Sequence, residues 1–168
     1  FNDVAVTDGG VPVYAGIRNG NFEESSGEYT SHVAWVYYDD SSGATWSKEV
    51  AIDNLNTFES VSTDGDRIVA AGTSSASDGG KTDGLTVEYD TKGSQNWRLS
   101  TTQEDYHQIW DVLATGDKTY TAGFKQSNGD SVNSSLVRYT SATDSNTDSQ
   151  VQLTNVELPQ NSINNNSE

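Results

Sequence analysis

The chain lacks cysteine and methionine, and it contains only two prolines. Without cysteine it forms neither disulfides nor thiolate metal sites, so thiol usage does not indicate a redox compartment. No apolar run approaches the roughly 20 residues that a membrane-spanning helix needs. We therefore expect no membrane insertion by this chain. Because it begins at Phe1 and carries no basic and apolar leader, we also expect a processed or excised product.

Basic residues are scarce as well. The chain has 9 Lys and Arg against 25 Asp and Glu, which gives a formal net charge of −16. A negative surface potential repels phosphate backbones, so nucleic acid is not expected as a partner. Brine or bound divalent cations would relieve the repulsion, and solubility alone also explains a charge far from zero. The abundance of Ser, Thr, Asn, Asp and Gly predicts an extracellular or cell-surface location.

Internal repetition is the strongest pattern in the chain. Three segments share the order strand, Gly- and Asp-rich turn, strand, and each ends in Ala-Gly: residues 5–16, 61–72 and 113–123. Aligning Thr63 with Thr115 makes the third turn one residue shorter than the second. A third strand follows in each copy, with Tyr38, Tyr89 and Tyr139 at matching places. The first two copies then continue through a turn with Gly to Trp46 and Trp97, which begin a fourth strand.

The alternation of residue types supports strands. We expect Val87 and Tyr89 on one face of their strand and Glu88 on the other. In the following strand, Trp97 and Leu99 flank Arg98, which is expected to point outward. Four consecutive antiparallel strands about every fifty residues is the spacing of propeller blades. We predict an all-β fold of three tandem, four-stranded antiparallel blades in one domain, residues 1–159. The blades span about 1–55, 56–105 and 106–158, and residues 160–168 form a polar, Asn-rich tail.

The repeated pattern resembles the β-propeller repeats of bacterial and archaeal cell-surface proteins. Its elements are a Thr-Asp-Gly turn, a strand ending in Ala-Gly, and Val-x-Tyr-Asp followed by Gly and Trp. The resemblance covers residues 3 to about 154. It implies a propeller-type fold and a surface, adhesive or scaffold role, and it implies no specific activity.

Three blades are too few for a closed propeller, which usually has 4 to 8. Uncovered blades and strand edges invite association. The chain is then a fragment of a longer propeller, one half of a six-bladed ring of two chains, or a unit of a head-to-tail polymer. The strand-like run at 151–158 either completes the third blade or is donated to a neighbour.

Asp- and Gly-rich turns supply the only candidate metal ligands. Asp64, Asp66 and Asp130 could offer oxygen atoms to calcium, which takes six to eight such ligands. None of these turns reproduces a complete calcium loop. Asp-Gly and Asn-Gly pairs are also the preferred residues of tight hairpins, so a purely structural role is the stronger interpretation.

Catalytic patterns are missing. The neighbouring acids Glu23 and Glu24 point to opposite faces of a strand, as do Glu104 and Asp105, and His32 and His107 lie apart without metal-ligand spacing. Asn133 and Asn165 match the N-glycosylation pattern. The aromatic residues able to stack on sugars, or to pack against the next blade, are Trp35, Tyr37, Trp110 and Tyr120.

These observations predict a non-catalytic, extracellular structural or adhesive protein of the β-propeller type. Its expected partners are copies of itself or other surface proteins, as in a surface assembly or filament. The alternative from a different class is a propeller that binds or cleaves glycans through rim loops such as residues 19–31.

Overall fold

The computed structural model describes residues 1–20, 22–23, 28–29, 31–52, 55–75, 82–100, 106–126, 133–140 and 154–155. Strands dominate this part of the chain and no helix occurs in it. The described residues thus contain no helix long and apolar enough to cross a membrane. The all-β prediction is confirmed. The strands are β1 (Asp3–Val6), β2 (Pro12–Asn19), β3 (Phe22–Glu23), β4 (Glu28–Tyr29), β5 (His32–Asp39), β6 (Thr45–Val50), β7 (Leu55–Asp64), β8 (Arg67–Ser75), β9 (Thr82–Asp90), β10 (Gln95–Ser100), β11 (Tyr106–Thr115), β12 (Lys118–Gln126), β13 (Asn133–Thr140) and β14 (Thr154–Asn155).

Strand pairing groups the main strands into three antiparallel units of four. Unit 1 is β1, β2, β5 and β6, with the short β3–β4 hairpin inserted after β2. Unit 2 is β7 to β10, and unit 3 is β11 to β14. One parallel pair, His32 with Leu55, joins units 1 and 2 into a mixed eight-stranded sheet, and unit 3 is a separate sheet.

The glycine that closes the second strand occupies the same surroundings in every unit. In units 2 and 3 the first strand carries a β-bulge, after Phe58 and after Ile109, and Gly72 and Gly123 pair with these two residues. A Cβ atom on Gly72 would lie 2.8 Å from the Cα of Phe58, and one on Gly123 would lie 3.0 Å from the Cα of Ile109. On Gly16 it would lie 2.8 Å from the Cα of Phe1. Only glycine allows the bulged backbone to approach so closely.

The hairpin turns correct one detail of the sequence alignment. Asp64 pairs with Arg67 and Thr115 with Lys118, so units 2 and 3 both have two-residue turns, and unit 1 has the longer one. The prediction of a shorter third turn is therefore wrong. The counterpart of Thr115 is Asp64, because the ladder and its bulge fix the register, whatever the residue types in the turn.

The units are stacked in chain order, and apolar side chains fill the space between them. One cluster lies between units 1 and 2 and includes Val13, Val36, Phe58, Ile68 and Val87. A second cluster lies between units 2 and 3, and its members are Val69, Ala71, Trp97, Ile109, Val112, Ala114 and Val137, with Leu99 at its margin. Unit 2 thus buries both of its faces, since residues that alternate along β8 enter different clusters. The predicted faces of Val87 with Tyr89 and of Trp97 with Leu99 are confirmed.

Two names describe these surfaces. The leading face of a unit is the one turned toward the preceding unit, and in unit 2 it carries the opposed residues Val61, Ala70 and Val87. The trailing face is turned toward the following unit, and in unit 2 it carries Val69 and Ala71. Both junctions within the chain therefore join a trailing face to the leading face of the next unit.

A buried ion pair strengthens the junction between units 2 and 3. The Arg67 guanidinium donates to Glu88 Oε2 from Nε at 3.0 Å and from Nη2 at 2.8 Å. It also donates to Thr119 Oγ1 at 2.7 Å and to the carbonyl oxygens of Gly116 and Lys118 in unit 3. Asn96 donates to the second carboxylate oxygen of Glu88. Because charged hydrogen bonds surround both groups, the cost of burying them is offset.

Candidate functional site

The leading face of unit 1 is uncovered. Phe1 is 66% exposed and Val4 is 54% exposed. Their counterparts by strand register are buried in both following units: Phe58 at 0% and Val61 at 5% in unit 2, with Ile109 and Val112 in unit 3. The same position is therefore core in two units and surface in the first, because none of the described units covers the leading face of unit 1.

Aromatic rings form the centre of this face. Gly16 has no side chain, and Phe1 lies beside it, with its ring centroid 4.9 Å from that of Trp35 and 5.1 Å from that of Tyr14. Tyr37 completes the group at 5.6 Å from Trp35 and 6.2 Å from Tyr14. Each of the four rings thus contacts two others in a closed cycle. We call this group, Phe1, Tyr14, Trp35 and Tyr37, the aromatic cluster.

Few charges accompany the aromatic cluster. Arg18 and Glu49 lie at the margin of the face and form an ion pair with Nη1 and Oε1 2.5 Å apart. Both side chains are largely exposed, so the pair adds little to stability. It does neutralise the two charges locally, which leaves an apolar and aromatic surface between β1 and β5.

The trailing face of unit 3 is uncovered as well. Leu113 is 56% exposed, and Ala122 is exposed although its counterparts Ala71 and Ala15 are fully buried. Trp110, the extra residue of the β11 bulge, is 58% exposed and contacts Phe124, with ring centroids 5.3 Å apart. Apolar side chains thus end the stack of units on this side too.

One polar position links the three units. Asp3, Ser60 and Asp111 are counterparts, since each is paired with the alanine that precedes the closing glycine. Ser60 Oγ lies 3.0 Å from Asp3 Oδ2 and 3.0 Å from Asp111 Oδ1. The backbone N–H of Val61 also donates to Asp3 Oδ2, at 2.9 Å. The hydroxyl therefore separates two carboxylates at the centre of the stack.

The predicted calcium ligands are not brought together in the described residues. The Asp64 carboxylate accepts a hydrogen bond from the Gly116 N–H and thereby ties the turn of unit 2 to that of unit 3. Asp66 is exposed in its turn, and Asp130 lies outside the described residues. Across the described part of the chain, no three His, Cys, Asp or Glu side chains converge in a way that could hold a metal ion. Calcium binding stays a prediction.

Two Asp-x-x-Gly turns show what such acids do in this fold. Gly43 N–H donates to the carbonyl of Asp40 at 2.9 Å, and Gly93 N–H to that of Asp90 at 3.0 Å. The Asp40 carboxylate also accepts from the backbone and hydroxyl of Ser42, and these hydrogen bonds lower its pKa. Both glycines have positive φ. The acids therefore cap turns between the third and fourth strands.

Among the other candidate residues, His107 lies apart from both uncovered faces. His107 is buried, and burial together with nearby Lys125 lowers its pKa. Asn133 begins β13, and Asn165 lies outside the described residues. N-glycosylation therefore stays a prediction. The chain matches no protein-family model and no curated protein sequence.

Sequence reasoning found part of the uncovered surface. It named Trp35, Tyr37, Trp110 and Tyr120 as aromatic residues of interest, and all four lie on the two faces, since Tyr120 pairs with Leu113. It missed Phe1, Val4 and Leu113. The signal that points to them is the comparison of repeats, because apolar residues recur where the stacked copies are buried.

Proposed function

We propose that this chain is a non-catalytic, extracellular structural or adhesive protein of the β-propeller type, and that it serves as a subunit of a surface assembly. The observation that carries the proposal is the exposure of Phe1 and Val4 beside the burial of Phe58 and Val61 at the same positions of the repeat. A face that is core in two units and surface in a third is incomplete without a further unit.

The arrangement of strands supports a propeller-type assembly. Each unit is a four-stranded antiparallel meander, and successive units pack face to face in chain order. Propellers usually close with 4 to 8 such units. Three units leave two faces uncovered, so blades from another molecule or from a longer chain are needed for closure.

Sedimentation of the purified chain over a wide concentration range tests this role. We expect species larger than a monomer whose proportion rises with concentration. A chain that stays monomeric up to millimolar concentration would count against an assembly role.

Glycan binding is the second candidate function, and it would use the aromatic cluster. Sugars stack on the open face of an aromatic ring. Trp35 is already stacked with Phe1 and with Tyr37, at interplanar angles of 25° and 27°, which leaves little ring face for a sugar. Binding to a glycan array that disappears in Trp35→Ala and in Tyr37→Ala would support this second function. Binding by neither the chain nor its variants would exclude it for the glycans tested.

A further inference from the structure

We propose that the uncovered leading face of unit 1 binds the uncovered trailing face of unit 3 of a second copy. The inference rests on the proposed assembly role and specifies its interface: a head-to-tail contact between two different surfaces of the same chain. It excludes association of two like faces.

The two junctions inside the chain establish the rule of contact. Unit 2 covers the trailing face of unit 1 with its leading face, and unit 3 covers the trailing face of unit 2 in the same way. No leading face packs on another leading face in the described residues. A repeated fold reuses its contacts, so the free leading face fits a trailing face.

The second copy is the occupant because it carries the missing surface. The stack of the three described units has a free leading face with Phe1 and Val4 on one side and a free trailing face with Leu113 and Ala122 on the other. Contact between them continues the stack with the orientation of the internal junctions. Two copies would bring six units together, which lies within the usual range for closed propellers.

The chemistry of the two faces agrees with this pairing. Both carry exposed apolar and aromatic side chains, and the charged groups at the margin of the leading face, Arg18 and Glu49, already pair with each other. Exposed rings such as those of Trp110 and Phe1 provide large apolar area at low entropic cost, as at many protein interfaces. A free carbohydrate or a nucleic acid would leave the aliphatic part of both faces uncovered.

Two substitutions block the faces separately. Val4→Asp places a carboxylate on the leading face, and Leu113→Asp places one on the trailing face. Both residues are more than half exposed in the single chain, so each variant should fold as the wild type does. Ile52→Asp is the matched control, since Ile52 is 38% exposed, lies outside every strand and belongs to neither face.

We expect each blocking variant to weaken self-association by on the order of 100-fold or more, because an unpaired charge would be buried in the junction. Ile52→Asp should associate like the wild type. A mixture of Val4→Asp with Leu113→Asp should form a 1:1 complex, since one variant retains its trailing face and the other its leading face. Native mass spectrometry with one variant labelled with ¹⁵N identifies this complex.

The outcomes separate the two proposals. A wild type that stays monomeric would overturn both the assembly role and this interface. An assembling wild type that one variant blocks and the other does not, with no 1:1 complex in the mixture, would show contact between like faces and overturn only the interface. Assembly unaffected by either variant would place the contact elsewhere and also overturn it. A two-copy ring and an open fibre both use the head-to-tail contact, so either supports it.

Discussion

Gly72→Ala tests whether the bulge of the first strand requires a glycine opposite to it. The added Cβ would collide with the carbonyl oxygen of Thr57 and lie 2.8 Å from the Cα of Phe58 and 2.9 Å from the N of Glu59. All three obstacles are backbone atoms, so the collision cannot be relieved by rotation of a flexible side chain. Because Phe58 is fully buried, this backbone segment is also held by its packing. Overpacking of a core typically costs about 1–3 kcal/mol and sometimes more. We expect a loss near the upper end, about 3 kcal/mol of unfolding free energy.

Urea denaturation followed by tryptophan fluorescence measures this loss. At this chain length 1 kcal/mol shifts the melting temperature by about 2–4 °C, so we expect a decrease of about 6–12 °C. Gly9→Ala is the matched control, because the nearest atom to its new Cβ is Thr7 Oγ1 at 3.8 Å. Gly16→Ala should cost less than Gly72→Ala, since its obstacles belong to Phe1 and Asn2, which lie outside strand β1. A Gly72→Ala protein as stable as the Gly9→Ala protein would refute the reasoning.

Three further predictions concern charge. Arg67→Met should destabilise the chain by about 3–5 kcal/mol by leaving Glu88 buried without its partner, and adding Glu88→Leu should restore most of that loss in chemical denaturation. Burial raises the pKa of Tyr89 from 10.0 to about 12, so the folded chain favours the protonated phenol. The contribution of this group to the free energy of unfolding is complete below pH 10 and is lost as the pH rises toward 12. Unfolding free energy over this window should fall more steeply for wild type than for Tyr89→Phe, by about 2 kcal/mol in all. Head-to-tail contact would bring Asp111 beside Asp3 of the next copy without an intervening hydroxyl. Asp111→Ser and added salt should therefore both tighten association measured by sedimentation, whereas equal affinities would contradict that arrangement.

The order of the main strands could be predicted from the sequence because it depends on local patterns, whereas the short β3–β4 hairpin was not predicted. The Ala-Gly pair recurs since Gly16, Gly72 and Gly123 all face the backbone of a neighbouring strand. Alternation placed Val87 with Tyr89 and Trp97 with Leu99, as the structure has them. These features need only a strand period of two and a turn rich in glycine.

Register was harder to predict. Matching Thr63 with Thr115 follows residue identity, yet Thr63 pairs with Ile68 and Thr115 with Lys118. The bulge inserts one residue into the ladder without a distinctive side chain, since Glu59 and Trp110 have nothing in common. The bulge itself could therefore not be recognised from the sequence, but it lies at the same place in units 2 and 3 and does not cause the one-residue shift. The shift came from matching the threonines, whereas counting back equally from Gly72 and Gly123 leads to Asp64 and Thr115.

The sequence by itself determined that the chain is all-β and threefold repeated, because strand alternation, turn residues and repeat spacing are local properties. Tertiary structure alone decided which apolar residues are core and which are surface. Phe1 and Phe58 are the same residue type at the same repeat position, and they differ only in whether another unit covers them. Burial is a property of neighbours in space, so the two uncovered faces became visible only when the units were stacked.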